Sequence, residues 1–185
     1  MTRSDMFYNI ILMNEVSGNI AQTVKFTWAG GTSGYSFGVT QLDVSHSSNA
    51  VACLRECGFS EDEMRQLQLR QVDSYKWSPR LAAHAGIIKK WDEIQLQHCL
   101  DSTQIFLDRY HVTPADDAAF MMVADTINQF GSLGQESGNH LSKLGRAFTA
   151  EDLRDWKLTW AYGEKHSQDV KRRYQTVVNI AKGAK

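Results

Sequence analysis

One β-forming stretch interrupts a chain otherwise patterned for helices, and it limits the folds open to the whole. Between Thr23 and Trp28 the residues Thr-Val-Lys-Phe-Thr-Trp alternate with period two and are rich in β-formers, which predicts a strand. Ala29 to Gly34 (Ala-Gly-Gly-Thr-Ser-Gly) predicts a turn. Tyr35 to Asp43 predicts a returning strand, with Tyr35, Phe37, Val39, Gln41 and Asp43 on one face. Gly38 leaves room for a close backbone or ligand approach. No other hairpin is legible. The expected class is therefore α+β, mainly α-helical, with a small β hairpin.

Helix signals fill the remainder. Ser4-Asp5 can cap a first helix whose apolar positions Met6, Ile10, Leu12 and Met13 face a core, and Ser17-Gly18-Asn19 should end it. Glu15 falls in its last turn, where the helix macrodipole disfavours a negative charge. Ser45–Asn49 leads into an apolar-periodic segment through Cys57, and Ser60 to Glu63 has the capping-box pattern of a helix reaching about Arg70. Ser78-Pro79 reads as an N-cap followed by Pro at the first helical position. Leu81 to Tyr110 is long enough for one bent helix or two. Thr113-Pro114-Ala-Asp116 opens the next, through Ile127; Thr149 to Asp152 caps another, and a last helix spans about Ser167 to Ala181.

The 185 residues fit a single domain, 1–185, with a basic helical part at about 143–185. Residues 1–142 carry 10 Lys/Arg against 16 Asp/Glu, whereas residues 143–185 carry 10 against 5, including Lys171-Arg172-Arg173. Such a helix is a solvated face balancing an acidic body, with weak contact to an anionic envelope surface as its functional reading. No apolar run approaches the roughly 20 residues of a bilayer-spanning helix. Asp5, Asn9 and Asn14 break up the N-terminal apolar residues, so no signal peptide is expected. Three cysteines, Cys53, Cys57 and Cys99, argue against a disulfide framework, and no metal-ligand spacing is present; no cofactor is expected. The basic residues lack a nucleic-acid reading motif.

Glu15 and Asp43 are the pair that can carry chemistry, since glycoside hydrolysis needs one protonated carboxyl and one ionised carboxylate. The six histidines form no defensible nucleophile–base order, and the Gly-rich run Gly131–Gly138 follows a helix rather than a strand, against a phosphate-cradling loop. The tryptophans are core by default, although Trp28 or Tyr35, flanking the hairpin loop, can stack on a sugar face.

The run Asn14-Glu15-Val-Ser-Gly-Asn, followed by Gly34-Tyr-Ser-Phe-Gly-Val-Thr-Gln-Leu-Asp43, resembles goose-type lysozymes and the related soluble lytic transglycosylases. The resemblance implies a lysozyme-like fold with the hairpin beside an active-site cleft. It makes Glu15 the catalytic acid, Phe37 to Gln41 the Gly-Leu-Met-Gln segment of the cleft floor, and Asp43 a downstream acidic residue. Val123 to Gly131 is similar to the family's Ala-x-Tyr-Asn-x-Gly segment, with Asn128 matching the Asn and Ile127 replacing the Tyr. Goose-type enzymes have another acidic residue between the Glu and the Gln segment, and this chain has none there.

The expected function is thus that of a peptidoglycan hydrolase, an endolysin-type muramidase. It would cleave the β-1,4 bond between N-acetylmuramic acid and N-acetylglucosamine and lyse bacterial cells. Glu15 is the expected acid, Asp43 the group orienting water or stabilising the sugar cation, and Tyr35, Ser36, Gln41, Asn128 and Thr32 the glycan-holding residues; Thr32, Ser33 or Ser36 can hold the water instead. Alternatives are a lytic transglycosylase on the same bond, a chitinase- or chitosanase-like glycosidase, and a catalytically inactive glycan-binding protein. The expected partner is bacterial peptidoglycan, with no nucleic acid. The expected state is a monomer that accumulates in a host cytoplasm, as a phage endolysin does, before reaching the cell wall.

Overall fold

The computed structural model describes residues 1–28 and 30–183. The chain divides into two compact units, Glu15–Gln95 and Met1–Asn14 with Leu96–Lys185. Helices α1 (Arg3–Val16) and α6 (Ala85–Tyr110) each give residues to both.

The Glu15–Gln95 unit holds α2 (Ile20–Thr23), strands β1 (Thr27–Trp28), β2 (Tyr35–Phe37) and β3 (Leu42–Asp43), and helices α3 (Ser48–Glu56), α4 (Glu61–Gln68) and α5 (Ser74–Ala82). The strands form an antiparallel meander in the order β1-β2-β3, pairing Thr27 with Ser36 and Ser36 with Asp43. This corrects two expectations. The predicted strand from Thr23 gives Thr23 to α2 and Val24 to its C-cap and pairs only at Thr27–Trp28, because Asn19 accepts the Ala21 N–H and caps a helical turn. The predicted long strand Tyr35–Asp43 breaks at Gly38–Gln41, so its odd positions do not share a face and a second hairpin follows the first. Gly38 and Gln41 both take positive φ, at 79° and 53°. The core is aromatic at its centre: Phe26 meets Phe37 edge-on at 5.7 Å and Phe59 at 5.9 Å, beneath Leu54, Leu67, Leu81 and Ile88. Cys53 and Cys57 are free thiols buried in this core, one helical turn apart.

Ser60 and Glu63 form the expected reciprocal capping box of α4. Ser78-Pro79, in contrast, does not open a helix. Asp73 accepts the Tyr75 N–H and starts α5 earlier, leaving Pro79 inside it. Ser78 Oγ instead donates to Ser74 O at 2.9 Å and accepts the Phe26 N–H at 3.3 Å, tying α5 to the segment entering β1.

The second unit is helical: the start of α1, the end of α6, then α7 (Asp117–Phe130), α8 (Gln135–Ser142), α9 (Ala150–Leu158), α10 (Ala161–Lys165) and α11 (Ser167–Gly183). The first cap is Thr2 rather than Ser4-Asp5: Thr2 Oγ1 accepts the Asp5 N–H and Asp5 Oδ2 accepts the Thr2 N–H, each at 3.1 Å. Residues Ala118 to Ile127 of α7 are all buried, and α9 and α11 pack on α7. Thr149 and Asp152 cap α9 as expected. The small-residue segment at 131–138 is partly α8, where a Cβ at Gly138 would strike the Tyr110 ring.

A polar cluster sits in this apolar surround. Asp125, fully buried, makes two hydrogen bonds with Arg173 at 3.0 and 2.9 Å and accepts the Asn14 side-chain amide at 3.0 Å. Burial pushes the Asp125 carboxyl up, but Arg173, Lys157 and Asn14 outweigh it and hold it below the usual carboxylate range. Lys157, fully buried, reaches Thr126 Oγ1 at 3.1 Å and Gln129 Oε1 at 3.2 Å. The basic run at 171–173 is therefore not one exposed face. Arg173 is interior, whereas Lys171 and Arg172 are exposed, Arg172 reaching Asn14 and Asp169.

Replacing Arg173 by Met strands the Asp125 charge and should cost about 3–5 kcal/mol in urea unfolding. Lys157 behaves differently. Desolvation lowers its ammonium to about 8 from 10.5, so the folded chain loses that proton first, and this group makes stability rise with pH across that window. In Lys157→Met that rise should vanish from a pH series of urea midpoints, with stability at neutral pH equal to wild type or higher.

Candidate active site

The apolar face of α1, with Met6, Phe7, Ile10 and Ile11 buried, fixes which way its last turn points. Ser17 at φ 53° and Gly18 at φ 77° end the helix where expected, and Glu15 occupies its last turn, half-buried. The preceding residue is anchored on both sides of its α-carbon. The Asn14 amide donates to Asp125, and its backbone carbonyl accepts Arg172 Nη2 at 3.1 Å. The peptide entering Glu15 is thereby held by two helices of the helical unit.

After Glu15 the chain enters the meander, and the site residues named from the sequence acquire specific partners there. Asp43 Oδ1 accepts the Ser45 N–H at 2.7 Å and the Gly34 N–H at 3.1 Å, while Oδ2 lies 3.1 Å from His46 Nδ1. Burial pushes the Asp43 carboxyl up, yet the Ser45 N–H, His46 and the Gly34 N–H prevail and lower it, so Asp43 is ionised at neutral pH. Gln41 turns back on its own loop: Nε2 donates to Gly38 O at 3.0 Å, and Oε1 accepts Thr27 Oγ1 at 3.1 Å. The Tyr35 hydroxyl donates to Val72 O at 3.0 Å, and its ring leans on Phe26. Ser36 is buried at the middle of the sheet, and Thr32 is exposed in the first hairpin loop. Thr32, Tyr35, Ser36, Gln41 and Asp43 thus share one small sheet with its loops. Asn128 belongs to the helical unit, half-buried on α7, where its Oδ1 lies 3.9 Å from Cys99 Sγ.

One residue went unread in the sequence. Asp92 of α6, only 4% exposed, reaches the Gly38–Gln41 turn: Oδ2 accepts the Val39 N–H at 2.9 Å, and Oδ1 accepts the Thr40 N–H at 3.0 Å and the Thr40 hydroxyl at 2.7 Å. A Cβ at Gly38 would collide with this carboxylate. Burial raises the Asp92 carboxyl above its usual range, with the donors from Thr40 and Val39 opposing. Its signal was available. Asp92 stands four residues from both buried Ile88 and buried Leu96, so the helix places a charge in the core stripe. A buried carboxylate requires donors, and a turn with free N–H groups supplies them.

Among the described residues no group of three or more His, Cys, Asp or Glu side chains gathers where a metal ion would bind, and no helix is long and apolar enough to cross a membrane. The arrangement offers a half-buried carboxyl at a helix end, an ionised carboxylate in the sheet, and a turn held by the Asp92 carboxylate. The chain matches no protein-family model, no curated protein and no solved structure.

Asp92→Ala leaves two backbone N–H groups and a hydroxyl buried without an acceptor, and should cost about 3 kcal/mol in thermal or urea unfolding. Asp92→Asn keeps an acceptor and should cost less. Amide exchange at Val39 and Thr40 should accelerate in both variants, most in the alanine.

Proposed function

We propose that the protein is a peptidoglycan hydrolase of lysozyme type, cleaving the β-1,4 bond between N-acetylmuramic acid and N-acetylglucosamine on a lysozyme-like fold. One observation carries this reading: Glu15 lies in the last turn of α1, and after the single turn of α2 the chain forms a three-stranded antiparallel meander whose Asp43 carboxylate accepts the Gly34 and Ser45 N–H groups. Glycoside cleavage asks for one carboxyl group that gives a proton to the leaving oxygen and, in most such enzymes, a second group acting on the sugar or on water.

In this scheme Glu15 donates its proton to the departing glycosidic oxygen as the C1–O bond breaks and positive charge develops on the muramyl ring. The Asp43 carboxylate stabilises that charge or orients the attacking water, which bonds to C1 and returns a proton to Glu15. Gln41, Tyr35, Ser36 and Thr32, on the sheet and its loops, hold the glycan. Bacterial peptidoglycan is then the partner, reached after release from a host cytoplasm.

A specific feature favours a second reading. Asp43 Oδ1 already serves two backbone N–H groups. If Asp43 is spent on its loop, Glu15 acts alone as acid and then base, and the muramyl O6 attacks C1 in place of water, as in a lytic transglycosylase. Asp43→Asn preserves the acceptor oxygen and removes the charge. Under hydrolysis it should slow lysis of purified cell walls by about 100-fold or more at a temperature well below the variant's own melting point; under transglycosylation it should leave the rate near wild type.

Glu15→Gln decides the shared claim. Cell-wall lysis, followed by turbidity, should fall by about 10²–10⁴-fold while cosedimentation with cell walls persists. Undiminished lysis removes Glu15 from the chemistry.

A further inference from the structure

Trp28 is 54% exposed, whereas Trp77, Trp91, Trp156 and Trp160 are half-buried. Its position is nonetheless fixed. The strand pairing sets Trp28 opposite Tyr35, and the indole Nε1–H donates to Ser33 O at 3.1 Å. The Arg70 guanidinium lies 4.8 Å from the ring centre, over one face, and its Nη1 donates to Gly31 O at 2.9 Å. The indole N–H and one face are therefore committed, in a side chain that is still more than half exposed. With its N–H spent, the ring can offer a ligand only its remaining π surface.

The surroundings say what kind of ligand fits. The neighbouring loop residues are Gly31, Thr32 and Ser33, with no apolar side chain among them. A protein partner's hot spot needs contiguous apolar surface around its anchor, which this loop does not supply. A pyranose in its chair form matches it: one face is a patch of axial C–H bonds, and the rim is hydroxyl and acetamido groups. A fixed aromatic loses little entropy on binding, and a cation alongside suits a polymer whose stem peptides carry carboxylates.

We propose that Trp28, braced by Arg70, is a stacking platform for one N-acetylated amino-sugar ring of a β-1,4-linked glycan, and so fixes which stretch of the polymer the hairpin loop engages. This rests on the peptidoglycan reading for its choice of polymer, but concerns binding and requires no catalysis. Trp28 is a binding residue here and takes no part in proton transfer.

The test uses the full chain carrying Glu15→Gln, so that bound polymer is not consumed, with purified peptidoglycan and a soluble N-acetylglucosamine hexamer as probes. Adding Trp28→Ala should weaken binding to both by about tenfold, the size of one aromatic contact. Trp28→Tyr should restore most of the loss, although tyrosine cannot supply the indole N–H bond to Ser33. Circular dichroism melts of both variants show whether the loop alone was disturbed: recovery by tyrosine with an alanine-like melt supports stacking. In the Glu15 background, Trp28→Ala should raise KM with kcat unchanged. Equal affinity of Trp28→Ala and its parent overturns the platform, as does a parent that binds neither probe. A parent that binds, with Trp28 dependence, beside a Glu15 form that cleaves nothing upholds the platform and overturns the catalytic proposal instead.

Discussion

Asp125 is the charge on which the helical unit depends. From the most buried stretch of α7 it holds Arg173 on α11 and Asn14 on α1, so three helices meet at one carboxylate. A buried anion of this kind adds little net stability, but once present it admits few alternative packings, since any shift leaves a charge without its partner. Lys157 lies within the same field, whose pull from Asp125 favours its charge, but desolvation outweighs that pull and it is discharged more readily than an exposed lysine. The consequence reaches the candidate site by a covalent step. Asn14, anchored by Asp125 through its amide and by Arg172 through its carbonyl, is bonded directly to Glu15. The end of α1 is thus held by interior electrostatics as well as by its own helix.

The Glu15–Gln95 unit repeats the device. Asp92 holds the Gly38–Gln41 turn from behind by accepting two N–H groups and a hydroxyl, and Asp43 ties the strand β3 to the loop before β2 and to Ser45. With strands of two or three residues, the sheet has few ladder bonds of its own. Carboxylates accepting backbone N–H groups replace the missing pairing.

Local chemistry was the legible part of the sequence. The capping residues Ser60 and Thr149, the terminating Ser17-Gly18 pair and the antiparallel loop at 30–34 all act over three or four residues, and each reads correctly from neighbours alone. Errors came where distant partners decide. Tyr35–Asp43 reads as one strand because Val, Thr and Gln favour extension, but Asp92, some fifty residues on, offers acceptors that stabilise a turn at Val39–Thr40. Ser78-Pro79 reads as a helix start, but Asp73 caps earlier and the Phe26 N–H claims Ser78 Oγ. Lys171-Arg172-Arg173 reads as a basic face, and only the tertiary position of Asp125 draws Arg173 inside. For the candidate site, Glu15 and the sheet residues were proposed from pattern, whereas Asp92 lay hidden as a charge within an apolar period.

The central claim is that this architecture breaks a glycosidic bond of peptidoglycan. Mass spectrometry of the soluble fragments released from purified peptidoglycan tests it most directly, because the new chain end records which bond was broken. The account predicts fragments ending in N-acetylmuramic acid, reducing if water attacks and 1,6-anhydro if the sugar's own hydroxyl does. Fragments ending in reducing N-acetylglucosamine, cleaved stem peptides on intact glycan, or no release at all would contradict it.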